Sequence, residues 1–384
     1  MIASTLSLLL AAASAPGPHA VTFVLDLRPV IAAKEFDPAR DGAGVRGGIA
    51  PLSWQETTLA ADPDGDGRYT VTVTFPRAPY GGQPVAYKFK IERKGAPGEG
   101  WEEGRNRQLV LTGARQQVSR AFGSQTEPVP LSRVGTIRVH ASFPSQWIPA
   151  RTVQVYLPPG YARDKERRYP VLYLHDGQNV FDAAAAGMEW QVDEAAEALV
   201  RQGKIEPLIV VAVANGDART DEYTPTAVEG KGGGKAALYA RFLREELKPF
   251  IDRTYRTRPG PADTAVGGAS HGGLVSLWLA LTHPDTFGNA LALSTSAGWD
   301  DERIVKQVRA LPAKVPVRIW LDLGLREGEW FLTGNRHLRD ALAAKGWTPG
   351  GDLRYLEQEE GAHDEISWAS RVPAMLTFLW PKGR

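Results

Sequence analysis

The sequence predicts an α/β protein: a doubly wound sheet preceded by a small all-β sandwich. Three observations carry that prediction. Up to about residue 122, apolar and polar residues alternate at period two between turns rich in Gly, Pro and Asp. A polar stretch with two prolines and no period follows, "GSQTEPVPLSRVG". From Thr136 onward, extended apolar runs alternate with helical segments.

Taken in order, "MIASTLSLLLAAASAPGPHA" (residues 1–20) has an apolar centre from Ile2 to Ala13 followed by small residues. It reads as a secretory signal peptide, although it lacks an early Lys or Arg, and it implies a secreted or periplasmic protein. It is too short to span a bilayer, and no later stretch is long and apolar enough to do so. Residues 21–122 carry five strand patterns: "VTFVLDL", "RYTVTVTFP", "VAYKFKIER", "RQLVLT" and "QQVSRAF". Residues 123–135 read as a linker.

The second domain is expected over residues 136–384. "TIRVHASF" and "RTVQVYLP" suggest an antiparallel hairpin on a sheet edge. "PVLYLHDG", "LIVVAVANG", "DTAVGGAS", "ALALSTS" and "VRIWLDLG" read as buried parallel strands. "VDEAAEALVRQG", "AALYARFLREELKPFIDRTY" and "HGGLVSLWLALTHP" read as the helices between them.

Composition narrows the chemistry. A formal charge of +1 over 384 residues gives no whole-chain reason to expect nucleic acid or an anionic membrane as partner. The chain has no cysteine, which removes disulfides, thiolate metal sites, a cysteine nucleophile and a lipoprotein anchor. Its scattered histidines suggest no metal cluster, and no cofactor is expected. "DPDGDG" (Asp62 to Gly67) imitates the opening of a calcium loop, but Val73 stands where the bidentate glutamate would be. A tight turn is expected there.

The chemistry-bearing pattern is Gly268-Ala269-Ser270-His271-Gly272. A five-residue match is cheap in a chain with 40 glycines. Its setting is not: a short apolar strand runs into it and a helix leaves it. In such an elbow the glycines let strand and helix approach, and the serine hydroxyl stands exposed on the turn. Ser270 is therefore the candidate nucleophile.

A serine needs a base, and the base needs an orienting acid. Of the four histidines from His271 onward, His271 sits on the elbow itself. His283 falls at a helix end and His337 inside a helix. His363 lies in "YLEQEEGAHDEISW", between the last strand and the last helix, where ligand sites of open sheets collect. It is the candidate base. In "VRIWLDLGLREGEW", Asp322 and Glu327 compete as the acid. Glu327 is preferred because it lies beyond the glycine in the loop, whereas Asp322 within the strand suits hydrogen bonding to loop amides. The amide of His271, with Gly177 or Gln178 after "VLYLHDGQN", could form an oxyanion hole.

With these motifs in order, the segment from about Thr136 to Trp380 resembles the esterase family that includes esterase D, enterochelin-type esterases, and feruloyl or acetylxylan esterases. The resemblance rests on "YPVLYLHDGQNVFD", "ANGDARTDEYTP", "RFLREELKPFIDRTYRT", "AVGGASHGGLVSLWLAL", "IWLDLGLREGEW" and "EGAHDEISWASRVPAMLTFL". It implies an α/β-hydrolase fold, with Ser270 as nucleophile, His363 as base and an acid at Glu327. It also implies that Asn215, Arg219, Glu222 and Tyr223 line the substrate side. Histidine stands at 271 where many members carry methionine.

The front half resembles the starch-binding domains appended to glucoamylases, on "APLSWQE", "VAYKFK" and "GWEEGRNRQL". That resemblance implies a sugar-binding surface on Trp54 and Trp101 with Lys88 donating hydrogen bonds, and so α-glucan binding.

The expected function is a secreted serine carboxylic-ester hydrolase acting through an acyl-enzyme on glycan-linked or siderophore-type esters. The alternatives are acyl transfer to a sugar hydroxyl at the same site, and a non-catalytic glycan-binding protein on a hydrolase scaffold.

Overall fold

The computed structural model describes residues 18–76, 84–94, 100–102, 106–111, 114–124, 132–183 and 188–383. Residues 1–17 of the expected signal peptide and 125–131 of the expected linker lie outside them. The chain divides into two compact units near residue 125.

The first unit has strands β1 (His19–Asp26), β2 (Gly42–Gly47), β3 (Thr58–Leu59), β4 (Arg68–Phe75), β5 (Pro84–Glu92), β6 (Arg107–Val110) and β7 (Arg115–Ala121), with one short helix, α1 (Arg28–Ala32). They form a three-stranded sheet, β4-β1-β7, and a four-stranded sheet, β3-β2-β5-β6. Period-two alternation buries Val21, Phe23 and Leu25 of β1 and Tyr87, Phe89 and Ile91 of β5. Phe23 and Tyr87 meet edge to face at 5.0 Å between ring centroids, joining the two sheets. The Asp62 carboxylate accepts from the amides of Asp66 and Gly67, closing a tight turn ahead of β4.

The second unit is built on one eight-stranded sheet. Its strands are β8 (Thr136–Phe143), β9 (Arg151–Leu157), β10 (Val171–Leu174), β11 (Ile209–Val213), β14 (Thr264–Ala269), β15 (Asn289–Leu293), β16 (Arg318–Gly324) and β17 (Leu353–Gln358), in spatial order β17-β16-β15-β14-β10-β11-β9-β8. A small separate ladder pairs β12 (Ala227–Val228) with β13 (Gly232–Gly233). The six strands from β17 to β11 are parallel, and β9 and β8 add an antiparallel hairpin at the edge. The helices are α2 (Val192–Arg201), α3 (Arg219–Tyr223), α4 (Ala236–Arg241), α5 (Lys248–Thr254), α6 (His271–Thr282), α7 (Trp299–Ala310), α8 (Glu329–Lys345) and α9 (Glu365–Leu379). The long helical pattern expected after residue 236 is α4 and α5 joined through a π-helical stretch, Phe242–Leu247.

Alternate strand residues feed two cores. Val171 and Tyr173 join the layer under α4 to α8, while Leu172 and Leu174 join the layer under α2 and α9. A sheet covered on both faces needs such near-continuous apolar strands. No helix among the described residues is long and apolar enough to cross a membrane.

Candidate active site

β14 ends at Ala269, α6 begins at His271, and Ser270 lies between them with φ 60° and ψ −122°. A side chain at positive φ is strained, and such strain collects at functional turns. The glycines make the turn passable. A Cβ on Gly268 would lie 2.8–3.0 Å from the backbone of Gly272, so neither strand nor helix could approach with a side chain there. Ser270 Oγ lies 3.2 Å from Ser296 Oγ and makes no hydrogen bond to His363.

The loops that carry Glu327 and His363 converge. A Cβ on Gly324 would lie 2.2 Å from the carbonyl oxygen of Gly361, so the end of β16 and the loop after β17 touch backbone to backbone. The Arg326 amide donates to Gly361 O at 2.9 Å. This contact sets Glu327 against His363, with Oε2 3.1 Å from Nδ1. Glu327 is fully enclosed, and the imidazole packs between Phe331 at 4.2 Å and Trp368 at 5.2 Å.

Asp322 faces elsewhere. It accepts from the Trp320 indole at 2.6 Å and the Ser294 amide at 3.3 Å, and pairs with Arg371 at 3.3 Å. Burial raises its pKa, and Arg371 opposes the rise. His283 closes α6, and His337 pairs with Glu302 at 2.7 Å on α8.

The loop after β10 packs on the start of α6. Asp176 takes φ 55° and leads into a single 3₁₀ turn, Gly177–Asn179. The amides of Gln178 and His271 find no backbone acceptor among the described residues. First-turn amides of this kind favour negative charge.

Asp176 organises the residues beside this loop. Arg219 grips its two oxygens at 2.7 Å each, and Asn215 donates to it at 2.5 Å. Burial alone would raise the Asp176 carboxyl, but Arg219 holds it below its ordinary value. The Asn215 amide donates to the Gln178 side chain at 3.2 Å. Arg219 and Asn215 thus stand together, partly exposed.

Glu222 and Tyr223 require a correction. Glu222 is 2% exposed and forms a two-pronged pair with Arg151, at 2.9 Å on both prongs. Tyr223 is wholly buried, its ring 5.2 Å from His175 and under the Arg219 guanidinium. Glu222 is committed to Arg151, and Tyr223 supports the Asp176–Arg219 pair, accepting from the Asp176 amide at 3.3 Å, so neither stands on an exposed substrate surface. The cause is α3, a one-turn helix that directs them inward.

Two further groups belong to this neighbourhood. His271 packs edge-on to Trp299 at 5.0 Å, and burial lowers its pKa to about 4. Glu365 accepts from Asn179 at 2.9 Å, and burial, with Asp364 and Asp176 nearby, raises its pKa to about 7. Sequence reasoning passed over Asp176, Ser294, Ser296, Glu365 and Arg371. An arginine inside the otherwise apolar stretch "SWASRVPAMLTFL" was the one available signal.

In the first unit, Trp54 and Trp101 lie 6.3 Å apart at 50°, and Trp101 is 37% exposed. Arg46 stands over Trp101 at 5.1 Å, and Lys88 is its register partner across β2 and β5.

The family described as "Putative esterase" matches residues 149–379, more than half of the chain. The chain belongs to this esterase family. It is a carboxylic-ester hydrolase on an α/β-hydrolase fold. Among curated relatives, it is 25% identical over 248 residues to the uncharacterized protein YbbA of Bacillus subtilis, covering 61% of this chain and 94% of that one. It is 30% identical over 237 residues to an endo-1,4-beta-xylanase/feruloyl esterase of Xylanibacter ruminicola, covering 60% of this chain but only 29% of that protein. It is 30% identical over 180 residues to the ferri-bacillibactin esterase BesA of Bacillus subtilis, covering 41% and 58%. Among solved structures, the enterochelin esterase of Shigella flexneri superposes with a TM-score of 0.63 at 16% identity, covering 96% of each chain. That match shows a shared fold.

Proposed function

We propose that this esterase works through an acyl-enzyme, with Ser270 as nucleophile, His363 as general base and then acid, and Glu327 orienting the imidazole. One observation carries the reading: a strained serine elbow stands at the carboxyl end of the same sheet that supports a His363–Glu327 pair. Ser270 Oγ turns from Ser296 toward His363 and attacks the ester carbonyl as His363 Nε2 takes its proton. The amides of Gln178 and His271 receive the oxyanion. Collapse expels the alcohol, which takes the proton from His363, and water then repeats the sequence on the acyl-enzyme.

The proposed substrates are feruloyl-type esters on glycans or siderophore-type esters. The activities for which the Xylanibacter ruminicola relative and BesA are named support this class. The partly exposed Arg219 and Asn215 supply polar recognition. We also propose export, on the signal pattern, and glycan binding by the first unit, supported by the nearness of Trp54 and Trp101.

The test is Ser270→Ala on a panel of short-chain nitrophenyl, feruloyl and catecholate esters, with a sugar acceptor added to reveal transfer. Activity should fall by orders of magnitude with folding intact. Retention of more than about a tenth would sink the assignment.

A further inference from the structure

We propose that Ser294 is a positioning residue of this site, whose hydroxyl fixes the Glu327 carboxylate so that only Oε2 faces His363. The inference rests on the Ser270–His363–Glu327 reading above. Ser294 follows β15 directly, is wholly buried and holds φ 42°. Its Oγ has three partners: Glu327 Oε1 at 2.5 Å, Trp368 Nε1 at 2.9 Å and Arg371 Nη2 at 3.1 Å. A hydroxyl has one proton and two lone pairs. An indole and a guanidinium can only donate, so they take both lone pairs. The one proton is thereby committed to Glu327.

Glu327 Oε1 also accepts the Gly324 amide at 2.6 Å. Two donors occupy that oxygen, and Oε2 is left for His363 Nδ1. The imidazole then carries its proton on Nδ1 and offers Nε2 as the base. Arg371 stands nearer Asp322, at 3.3 Å, than Glu327, which it approaches at 3.9 Å through Oε1 and not through Oε2, the partner of His363 Nδ1.

The same turn is tied to the nucleophile. The Ser270 amide donates to Leu293 O at 3.0 Å, and the Ser296 amide donates to Ser270 O at 3.1 Å. One short backbone therefore references the acid to the elbow.

The test is Ser294→Gly, assayed with a short-chain nitrophenyl ester across pH. Glycine suits the positive φ, so the hydroxyl is removed while backbone strain is relieved. kcat should fall about ten- to hundredfold with KM unchanged, the scale of one hydrogen bond to a charged group. The acidic limb of kcat/KM should move to lower pH, because a carboxylate free to turn from His363 Nδ1 favours the imidazolium less. Asp322, Arg371, Asp364 and His271, the other charged or titratable groups facing this pair, are unchanged in the variant.

A kcat within about twofold of wild type would overturn the proposal. So would a loss of activity with an unmoved acidic limb, which is what a merely structural role produces. Ser294→Ala provides the same measurement if the glycine variant does not fold. Residual activity in Ser270→Ala would refute the parent reading instead; an inactive Ser270→Ala beside a normal Ser294→Gly refutes only this one.

Discussion

Replacing Glu327 with Gln changes one atom and should reverse a tautomer. The Oε1 position is claimed by two donors, the Ser294 hydroxyl and the Gly324 amide, so the new carbonyl oxygen must sit there. The new NH₂ then faces His363 Nδ1 and forces it to accept. The ring proton moves to Nε2, where a base is needed. The lost attraction between carboxylate and imidazolium can be bounded from their 3.1 Å separation. At an effective dielectric of about 20 it amounts to about 5 kcal/mol. At about 1.36 kcal/mol per decade that is close to ~10⁴ in rate. The imidazole side chain is 28% exposed, so water recovers part of this. A fall in kcat between about 10² and 10⁴ is expected. The assay is steady-state hydrolysis of a nitrophenyl ester, with Asp322→Asn measured in parallel. A Glu327→Gln enzyme that keeps more than about a tenth of its kcat while Asp322→Asn loses more would transfer the acid role to Asp322.

Glu222→Ala should lower thermal stability sharply, by about 3–5 kcal/mol, because it strands the buried Arg151 charge. A raised KM at unchanged melting temperature would instead restore Glu222 to the substrate surface. Glu365 titrates near 7 in the folded protein against an ordinary 4.5, so its proton stabilises the fold fully below 4.5, and that contribution is lost as pH rises through about 7. Glu365→Gln should therefore gain melting temperature over wild type between pH 5 and pH 8, and an identical difference at both pH values would refute the raised pKa. Trp54→Ala/Trp101→Ala should lose retardation in starch-containing gels while hydrolysing a small soluble ester normally. Unretarded wild type would end the α-glucan proposal.

What could be read from the sequence follows from how burial works. β10, β11, β14, β15 and β16 are enclosed on both faces, so their apolar runs stand out without any knowledge of neighbours. β17 escaped because it is an edge strand whose residues are mostly only half-buried. β2 escaped because "GAGVRG" lacks β-formers, and its glycines are required by close pairing: a Cβ on Gly44 would lie 2.2 Å from Thr58 O. At the proposed site, Ser270, His363 and Glu327 could be singled out as candidates because motif, chain order and loop placement agree. Glu222 was misplaced because its partner, Arg151, is 71 residues away. Ser294 was invisible for a related reason, since its three partners come from the loop after β16 and from α9. A local pattern cannot announce a bond closed by tertiary packing.

The backbone contact between Gly324 and Gly361 also bears on the order in which this enzyme comes into being. The Ser270 elbow is finished by residue 282, yet the proposed acid Glu327, the proposed base His363 and Arg371 arrive only with the segments after β16 and β17 and with α9. A chain emerging from the ribosome could fold its elbow early and still hydrolyse nothing. α9 must dock Val372, Met375, Leu376 and Leu379 against the layer it shares with α2 before His363 and Glu327 are held together. Gain of activity during refolding should therefore track the docking of this last helix and lag behind formation of the central strands.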